Sequence, residues 1–273
     1  MNKKERASEI IISMLKALAY VLVYFGAQIA VGFVLGFVVI FDQDISVDKI
    51  LTEKAMEISI LANMISVVCC LWLSRIMNKQ GTGEAFRLNL DFNRTGKIIG
   101  LCLAIGVFGQ YAVTFLLNAV IKFPDSWVEA QEQNTQLMQQ GSFTAMFIAI
   151  AIVAPLAEEI IFRACFQGAL QSHLPKWVAI AISSVAFGLM HGTPIGIIYA
   201  TVLGVLMGWL FSELNSVLPS MIFHLGFNFT SIFITSLSPV IFIISILCFA
   251  LAFGYLIYLC KKNRNEGDNN EAL

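Results

Sequence analysis

The sequence predicts an all-α protein, a polytopic transmembrane helical bundle with about eight spans and both termini in the cytoplasm. Of its 273 residues, 58% are hydrophobic and 13% are charged, whereas soluble proteins carry about 25% charged residues. The mean hydropathy is +0.79, and apolar runs of about 20 residues, the length that crosses a bilayer, follow one another along the chain. We therefore predict a single transmembrane domain over residues 1–273.

Each apolar run predicts one span. The first run continues to Phe41, which is too long for a signal-peptide core, and no small-residue cleavage site follows it, so we expect this span to be retained. The first and fourth runs exceed the membrane thickness and must tilt, kink or extend beyond it. The fifth is short and ends at Gly192 and Pro194, which break helices. The predicted spans are 10–41, 57–77, 97–121, 143–171, 177–191, 194–212, 216–235 and 239–260.

The charges between these spans predict their orientation, because Lys and Arg concentrate on the cytoplasmic side of a membrane. Three segments are basic and two are rich in Asp and Glu, and alternating them over eight spans places both termini in the cytoplasm. The segment 122–142 is predicted to form a short surface helix, and the polar segment 261–273 a disordered tail. The basic residues are Lys3, Lys4, Arg6, Arg75, Lys79, Arg87, Arg94, Lys97, Lys261, Lys262 and Arg264, and the acidic ones are Asp42, Asp44, Asp48, Asp125, Glu129 and Glu132.

The composition also limits the partners and cofactors. A formal net charge of -1 gives no reason to expect a nucleic-acid partner. Six cysteines lie in or at the edge of apolar segments without metal-ligand spacing, so we interpret them as small apolar side chains. The expected surroundings are membrane lipid and a membrane-associated peptide or protein.

The fourth span contains three charged residues in the stretch VAPLAEEIIFRACF. A single charge at the centre of a bilayer costs roughly 2.5–3.5 kcal/mol on the insertion scale. Glu159 and Arg163 are four residues apart in the order that pairs best on a helix, so we expect them to form an ion pair. Glu158 lies about 100° further around the helix and has no local partner, which leaves a free carboxylate.

Two later spans contribute the other strongly polar groups at depth. FGLMH places Phe187 and His191 on one helix face, and HLGFN places His224 and Asn228 on another, with Gly226 permitting a close helix approach. At about 1.5 Å per residue, Glu158 and His191 each lie roughly 20 Å from a predicted cytoplasmic helix end, and His224 roughly 12 Å from one. We therefore expect these groups to meet in the middle to cytoplasmic half of the bilayer.

A carboxylate, two imidazoles and an amide in such a pocket suit the hydrolysis of an amide by two routes. In the first, the carboxylate takes a proton from water, an imidazole positions that water, and the His and Asn side chains donate to the developing oxyanion. In the second, one Glu and two His bind a divalent metal such as zinc, with water in the open position. No Ser or Cys stands in an obvious relation to either His, so a covalent nucleophile has no support.

These residues resemble a known family. EEIIFR, FGLMH and HLGFN match the EExxxR, FxxxH and HxxxN motifs of the CAAX protease and bacteriocin-processing family (CPBP or Abi), intramembrane endopeptidases that include the type II CAAX prenyl endopeptidases. The resemblance covers roughly residues 140–235, with the motifs in the family's order and on separate helices.

The resemblance implies a role for each matched residue. Glu158 would activate the water together with His191, and His224 with Asn228 would form the oxyanion pocket. A second group would organise the site and consists of Glu159, Arg163 and Phe187. Both a zinc-dependent reaction through Glu158, His191 and His224 and a metal-free glutamate reaction are compatible with the family, and the Asn fits an oxyanion donor better than a metal ligand.

We therefore expect an intramembrane protease in a bacterial plasma membrane. One alternative is a non-proteolytic membrane scaffold or bacteriocin-immunity protein that binds a peptide partner through the same pocket. Another is a proton-coupled transporter with Glu158 as a relay, although the sequence lacks paired broken helices in corresponding halves. Purely structural roles also compete: an ion pair for Glu159 and Arg163, and interhelical hydrogen bonds for the histidines and Asn228.

Overall fold

The protein is helical throughout the residues that its computed structural model describes, which are 2–41, 53–77, 83–86 and 92–271. No strand occurs in these ranges, which confirms the all-α class. Two helices contain wider π-helical turns, and Gly83–Phe86 forms a short 3-10 helix. The helices are α1 (Lys3–Phe41), α2 (Ala55–Met77), α3 (Phe92–Phe115, continued by a π-helical turn over Leu116–Val120), α4 (Asp125–Met138), α5 (Phe143–Gln171), α6 (Lys176–Leu189), α7 (Pro194–Leu214), α8 (Leu218–Phe233) and α9 (Pro239–Glu271).

Six of these helices are long and apolar enough to cross a membrane, counted over the described part of the chain. The remaining apolar helices, α6 and α8, have 14 and 16 residues. The multi-pass architecture is therefore confirmed, whereas the count of eight spans and the cytoplasmic termini stay predictions. α9 continues to Glu271, so it includes most of the segment 261–273, whose disorder stays a prediction. Several residues used for the orientation, Asp42, Asp44, Asp48, Lys79 and Arg87, lie outside the described residues.

Proline marks the start of most helices that follow α3. Proline has no N–H to lose at the first turn of a helix and its φ angle is already helical. Thr193 caps α7 by accepting a hydrogen bond from the Gly196 N–H at 3.1 Å. Five of the six prolines lie at or just before a helix start, and the exception, Pro155, lies inside α5. The five are Pro124, Pro175, Pro194, Pro219 and Pro239.

α6 and α7 form an antiparallel hairpin that holds one motif at its tip. At the open end of the hairpin, Lys176 Nζ contacts Glu213 Oε2 at 2.5 Å. At the other end, the turn between the helices contains Gly192 with φ of +71°, a conformation that other residues adopt only with strain. The predicted break of the helix at Gly192 and Pro194 is confirmed. His191 therefore lies on a turn rather than inside a span.

α3 and α8 approach each other closely through glycine. A Cβ atom on Gly226 would lie 2.9 Å from Leu103 Cδ1 and 3.0 Å from the Leu103 carbonyl oxygen. On the facing helix, a Cβ atom on Gly106 would lie 3.0 Å from the Phe227 backbone nitrogen and would overlap the Phe223 carbonyl. The two backbones are in contact, as small residues allow in membrane bundles, and this contact fixes the part of α8 that carries the HxxxN motif.

The short helices α6 and α8 leave space at one end of the bundle. At about 1.5 Å per residue they measure roughly 21 Å and 24 Å, against a hydrocarbon core of about 30 Å. Both end on the side where α4 lies, and the Thr193 hydroxyl at the tip of the hairpin donates to Gln131 Oε1 on α4 at 2.5 Å. The predicted surface helix in 122–142 is confirmed, and none of its residues is buried.

Candidate active site

The two glutamates of the EExxxR motif lie in a short α-helical segment between two π-helical turns. Within α5, Ile148–Val153 and Ile160–Gln167 are π-helical, and Ala154–Glu159 between them is α-helical. A π-helical turn inserts a residue into the normal register of the helix and is common at functional sites. Because adjacent residues of an α-helix point about 100° apart, Glu158 and Glu159 face different surroundings.

Proline at position 155 explains how Asn228 is held. The Ala154 N–H donates to the carbonyl of Ala149, five residues earlier. The next bond of this series would run from residue 155 to Ile150, but Pro155 has no N–H. The Ile150 carbonyl instead accepts a hydrogen bond from Asn228 Nδ2 at 3.0 Å. One N–H of the Asn228 amide therefore joins α8 to α5, and its second N–H is left for another acceptor.

Glu159 and Arg163 form a fully buried ion pair. Their side chains are both 0% exposed, and Arg163 Nε lies 3.3 Å from Glu159 Oε2. The guanidinium carbon lies 4.7 Å from the centre of the Phe187 ring, over its face, which is the geometry of a cation–π contact. Within the described chain, none of the three guanidinium nitrogens forms a hydrogen bond, so the contact with Glu159 is an ion pair without one. The helical spacing predicted this pair, and the structure contains it.

His224 lies between the two glutamates. Its Nδ1 lies 3.3 Å from Glu159 Oε1 and its Nε2 lies 3.7 Å from Glu158 Oε2. An ionised carboxylate only accepts hydrogen bonds, so the Nδ1 proton is directed at Glu159. His224 therefore connects the buried ion pair to Glu158, whose side chain is 21% exposed.

His191 is oriented by its own helix and by two aromatic rings. Its Nδ1 lies 3.1 Å from the Phe187 carbonyl oxygen, and because a carbonyl only accepts, Nδ1 carries the proton and Nε2 carries the lone pair in the neutral ring. The imidazole meets the Phe187 ring edge-to-face at 4.9 Å and the Tyr199 ring at 5.8 Å. Phe187 also meets His224 edge-to-face at 5.8 Å. Phe187 thus touches both histidines and Arg163.

A cavity of about 1210 Å³ is lined by the polar motif residues that do not belong to the buried ion pair. Its wall includes Glu158, His191, His224 and Asn228, together with Phe187. Glu159 and Arg163 do not line it; they lie behind His224 and Phe187. The residues predicted to react and those predicted to organise the site are therefore separated in space, with Phe187 on the boundary.

The three predicted zinc ligands do not form a ligand set in this arrangement. His224 contacts Glu158, but His191 makes no contact with either of them that would let all three reach one ion. Within the described ranges, no group of three His, Cys, Asp or Glu side chains could hold a metal ion. The side chains therefore do not fit a zinc site as arranged, whereas the sequence had left a zinc-dependent and a metal-free reaction both open.

Sequence reasoning missed several residues of the cavity wall. Tyr24 on α1 and Tyr199 on α7 line it together with Glu158. Thr193 and Gln131, which join the hairpin tip to α4, also line it. Tyr199 follows His191 by eight residues across a turn, and Tyr24 lies in another span, so no local spacing connects either to the motifs.

Comparison with known proteins gives two kinds of match. Residues 140–230 match the family model described as "Type II CAAX prenyl endopeptidase Rce1-like". The chain is 26% identical over 227 residues to "Putative membrane peptidase YdiL" of Bacillus subtilis (strain 168), covering 82% of this chain and 88% of that protein. It is 27% identical over 143 residues to "UPF0177 protein YxdF" of Lactococcus lactis subsp. lactis (strain IL1403), covering 51% of this chain and 76% of that protein. No solved structure matches.

These matches agree with the three motifs and with the fold. The matched region contains Glu158, His191, His224 and Asn228, and the relatives come from bacteria. Together with the six apolar helices, they support a multi-pass protein of a bacterial membrane. The resemblance of this chain to the CAAX protease and bacteriocin-processing family is thereby confirmed.

Proposed function

We propose that the protein is an intramembrane endopeptidase that hydrolyses a peptide bond of a membrane-associated peptide or protein. The comparisons support a membrane protease in general. One observation carries the finer proposal: of two adjacent glutamates, Glu159 is fully buried against Arg163, while Glu158 faces a cavity that it shares with both histidines and Asn228.

Glu158 acts as the general base in this proposal. A water molecule bound in the cavity gives a proton to the Glu158 carboxylate while its oxygen attacks the carbonyl carbon of the substrate peptide bond. The Nε2 lone pair of His191 accepts the second hydrogen bond of that water and orients it, because the Nδ1 proton is held by the Phe187 carbonyl. The proton taken by Glu158 then passes to the departing amine as the C–N bond breaks.

His224 and Asn228 stabilise the negative oxygen that forms during the attack. The second N–H of Asn228 is one donor at this wall of the cavity, and His224 Nε2 is the other when the ring carries a proton on both nitrogens, since Nδ1 already holds one toward Glu159. Removing one oxyanion donor from a protease lowers kcat by about 10²–10³. A second contact orients each donor. Asn228 Nδ2 donates to the Ile150 carbonyl, and His224 Nδ1 faces Glu159 Oε1.

The deciding experiment compares the short peptides released from membranes that contain the wild-type protein or Glu158→Gln, measured by mass spectrometry. Glutamine keeps the size and hydrogen bonding of the side chain but cannot take the proton. Glu129→Gln is the matched control, because Glu129 lies on α4 outside the cavity wall. We expect a set of fragments that is lost in Glu158→Gln and retained in the control.

Fragments that persist unchanged in a folded, membrane-inserted Glu158→Gln protein would refute the proposal. A phenotype that survives the loss of the base would instead fit the non-proteolytic scaffold, in which the pocket binds a peptide without cleaving it. Substrate-driven proton flux in proteoliposomes, lost in Glu158→Gln, would point to the transporter.

A further inference from the structure

The cavity extends from Glu158 to α4, and that helix forms its far wall. No residue of α4 is buried, so most of its side chains are accessible to whatever occupies the cavity, although Gln131 is hydrogen-bonded to Thr193. The lining residues from this region are Asp125, Val128, Gln131, Glu132, Asn134, Thr135, Gln136 and Met138 on the helix and Gln139 at its C-cap.

Amide side chains are the most frequent polar groups in the described lining of the whole cavity. Each carries a donor and an acceptor, so each can pair with either half of a backbone peptide group. Within the described chain, the side chains of Asn134, Gln136 and Gln139 make no hydrogen bond, so they are available. The lining amides are Gln110, Asn118, Gln131, Asn134, Gln136, Gln139 and Asn228.

Ionic groups are a minority of the described lining. Asp125 and Glu132 lie on α4 itself, Lys122 precedes that helix, and Glu158 lies on α5. Apart from these four and the two histidines, the described lining consists of amides, hydroxyls, glycines and apolar side chains such as Leu203. Most of the surface that a substrate meets is therefore neutral and able to form hydrogen bonds.

We infer that the cavity binds its substrate as an extended and unmodified stretch of polypeptide, whose backbone groups pair with the amide side chains on α4 and at its C-cap, Gln139. This inference rests on the proposed function and names the substrate class of that site. A lipid chain in the same place would leave the amides facing hydrocarbon, and each buried polar group without a partner is unfavourable. A polypeptide satisfies the amides with its backbone and the apolar wall with its side chains.

The position of α4 also connects binding to the reacting groups. The hydrogen bond between Thr193 and Gln131 fixes α4 to the tip of the hairpin, two residues from His191. A peptide laid along α4 therefore lies beside the turn that carries His191, in the same cavity that Glu158 lines. α4 in this inference is a recognition element that sets the register of the substrate relative to the base.

The test uses a synthetic, unmodified peptide whose sequence is that of a fragment junction cleaved in a Glu158-dependent way. Its hydrolysis by purified full-length protein gives kcat and KM for Gln139→Leu, in the cavity wall, and for Gln133→Leu, a matched change on α4 outside the cavity wall. We expect KM to rise about three- to tenfold in Gln139→Leu, as for the loss of one hydrogen bond, with kcat within about twofold. Gln133→Leu should match the wild type.

A second arm compares this peptide with the same peptide carrying a C16 acyl chain on its N-terminal amine. We expect the acyl chain to leave kcat/KM within about twofold. Equal KM values for Gln139→Leu and Gln133→Leu, or cleavage that requires the acyl chain, would overturn the inference while leaving the Glu158 requirement intact. Loss of that requirement would overturn the proposed function instead, so the two failures can be distinguished.

Discussion

Breaking the buried ion pair from one side should destabilise the protein strongly. Replacing Glu159 by Gln leaves the Arg163 guanidinium without its carboxylate, in a site where both side chains are 0% exposed. Removing one partner of a buried pair costs about 3–5 kcal/mol, and at roughly 2–4 °C per kcal/mol for a chain of this size the midpoint of thermal unfolding should fall by about 6–20 °C. The Phe187 face, at 4.7 Å, compensates only in part.

The opposite single change should cost less. In Arg163→Met, Glu159 keeps one partner, because His224 Nδ1 still lies 3.3 Å from its Oε1. The double variant Glu159→Gln/Arg163→Met removes both charges together, and replacing a buried pair by neutral side chains of similar size is often close to neutral. We therefore expect the double variant to be more stable than Glu159→Gln alone.

The unfolding midpoint can be followed with a maleimide dye that fluoresces on reaction with thiols, since Cys70, Cys102 and Cys165 are buried and become reactive on unfolding. Lys54→Met is the control: it breaks an exposed pair with Glu57, at 3.2 Å and 62% and 39% exposure, and exposed pairs contribute about 0–1 kcal/mol. If Glu159→Gln unfolds at the wild-type temperature, or if the double variant loses the sum of both single effects, the pair does not stabilise the fold as argued.

Three further outcomes follow from the geometry. Pro155→Ala supplies an N–H that competes for the Ile150 carbonyl and releases Asn228, so kcat should fall while the unfolding temperature stays near that of the wild type; unchanged kcat would contradict this role of the proline. Gly106→Ala places a methyl group against the backbone of α8 and should destabilise the protein by roughly 1–3 kcal/mol. Gly100→Ala is the control and should not destabilise it, because nothing lies within 4 Å of a Cβ atom there. Equal thermal shifts for the two variants would count against the close helix contact. Cleavage of the Glu158-dependent peptide should persist after EDTA or 1,10-phenanthroline, and loss that zinc restores would establish a metal-dependent reaction.

Local patterns in the sequence were sufficient for the helices and for the pairing of Glu159 with Arg163. The fourth predicted span, 143–171, agrees with Phe143–Gln171, because apolar length and flanking turn residues are properties of adjacent positions. The π-helical turns were not predicted, since no local spacing in residues 148–167 indicates them, and the bond of Asn228 with Ile150 beside one of them joins two helices that are distant in sequence. The wall formed by α4 was missed for the same reason: Gln131 meets Thr193 only in the folded chain.

His224 makes the stability of the protein and its proposed chemistry depend on each other. The same imidazole contacts Glu159, within the buried pair, and Glu158, within the cavity. A change that unpairs Glu159 frees the Nδ1 side of the ring, so the ring no longer has a fixed direction from which Nε2 can reach an oxyanion. Conversely, Glu158 can be neutralised without touching the buried pair. Glu158→Gln should therefore lose activity at full stability, while Glu159→Gln should lose both, and this difference separates a reacting glutamate from one that holds the site together.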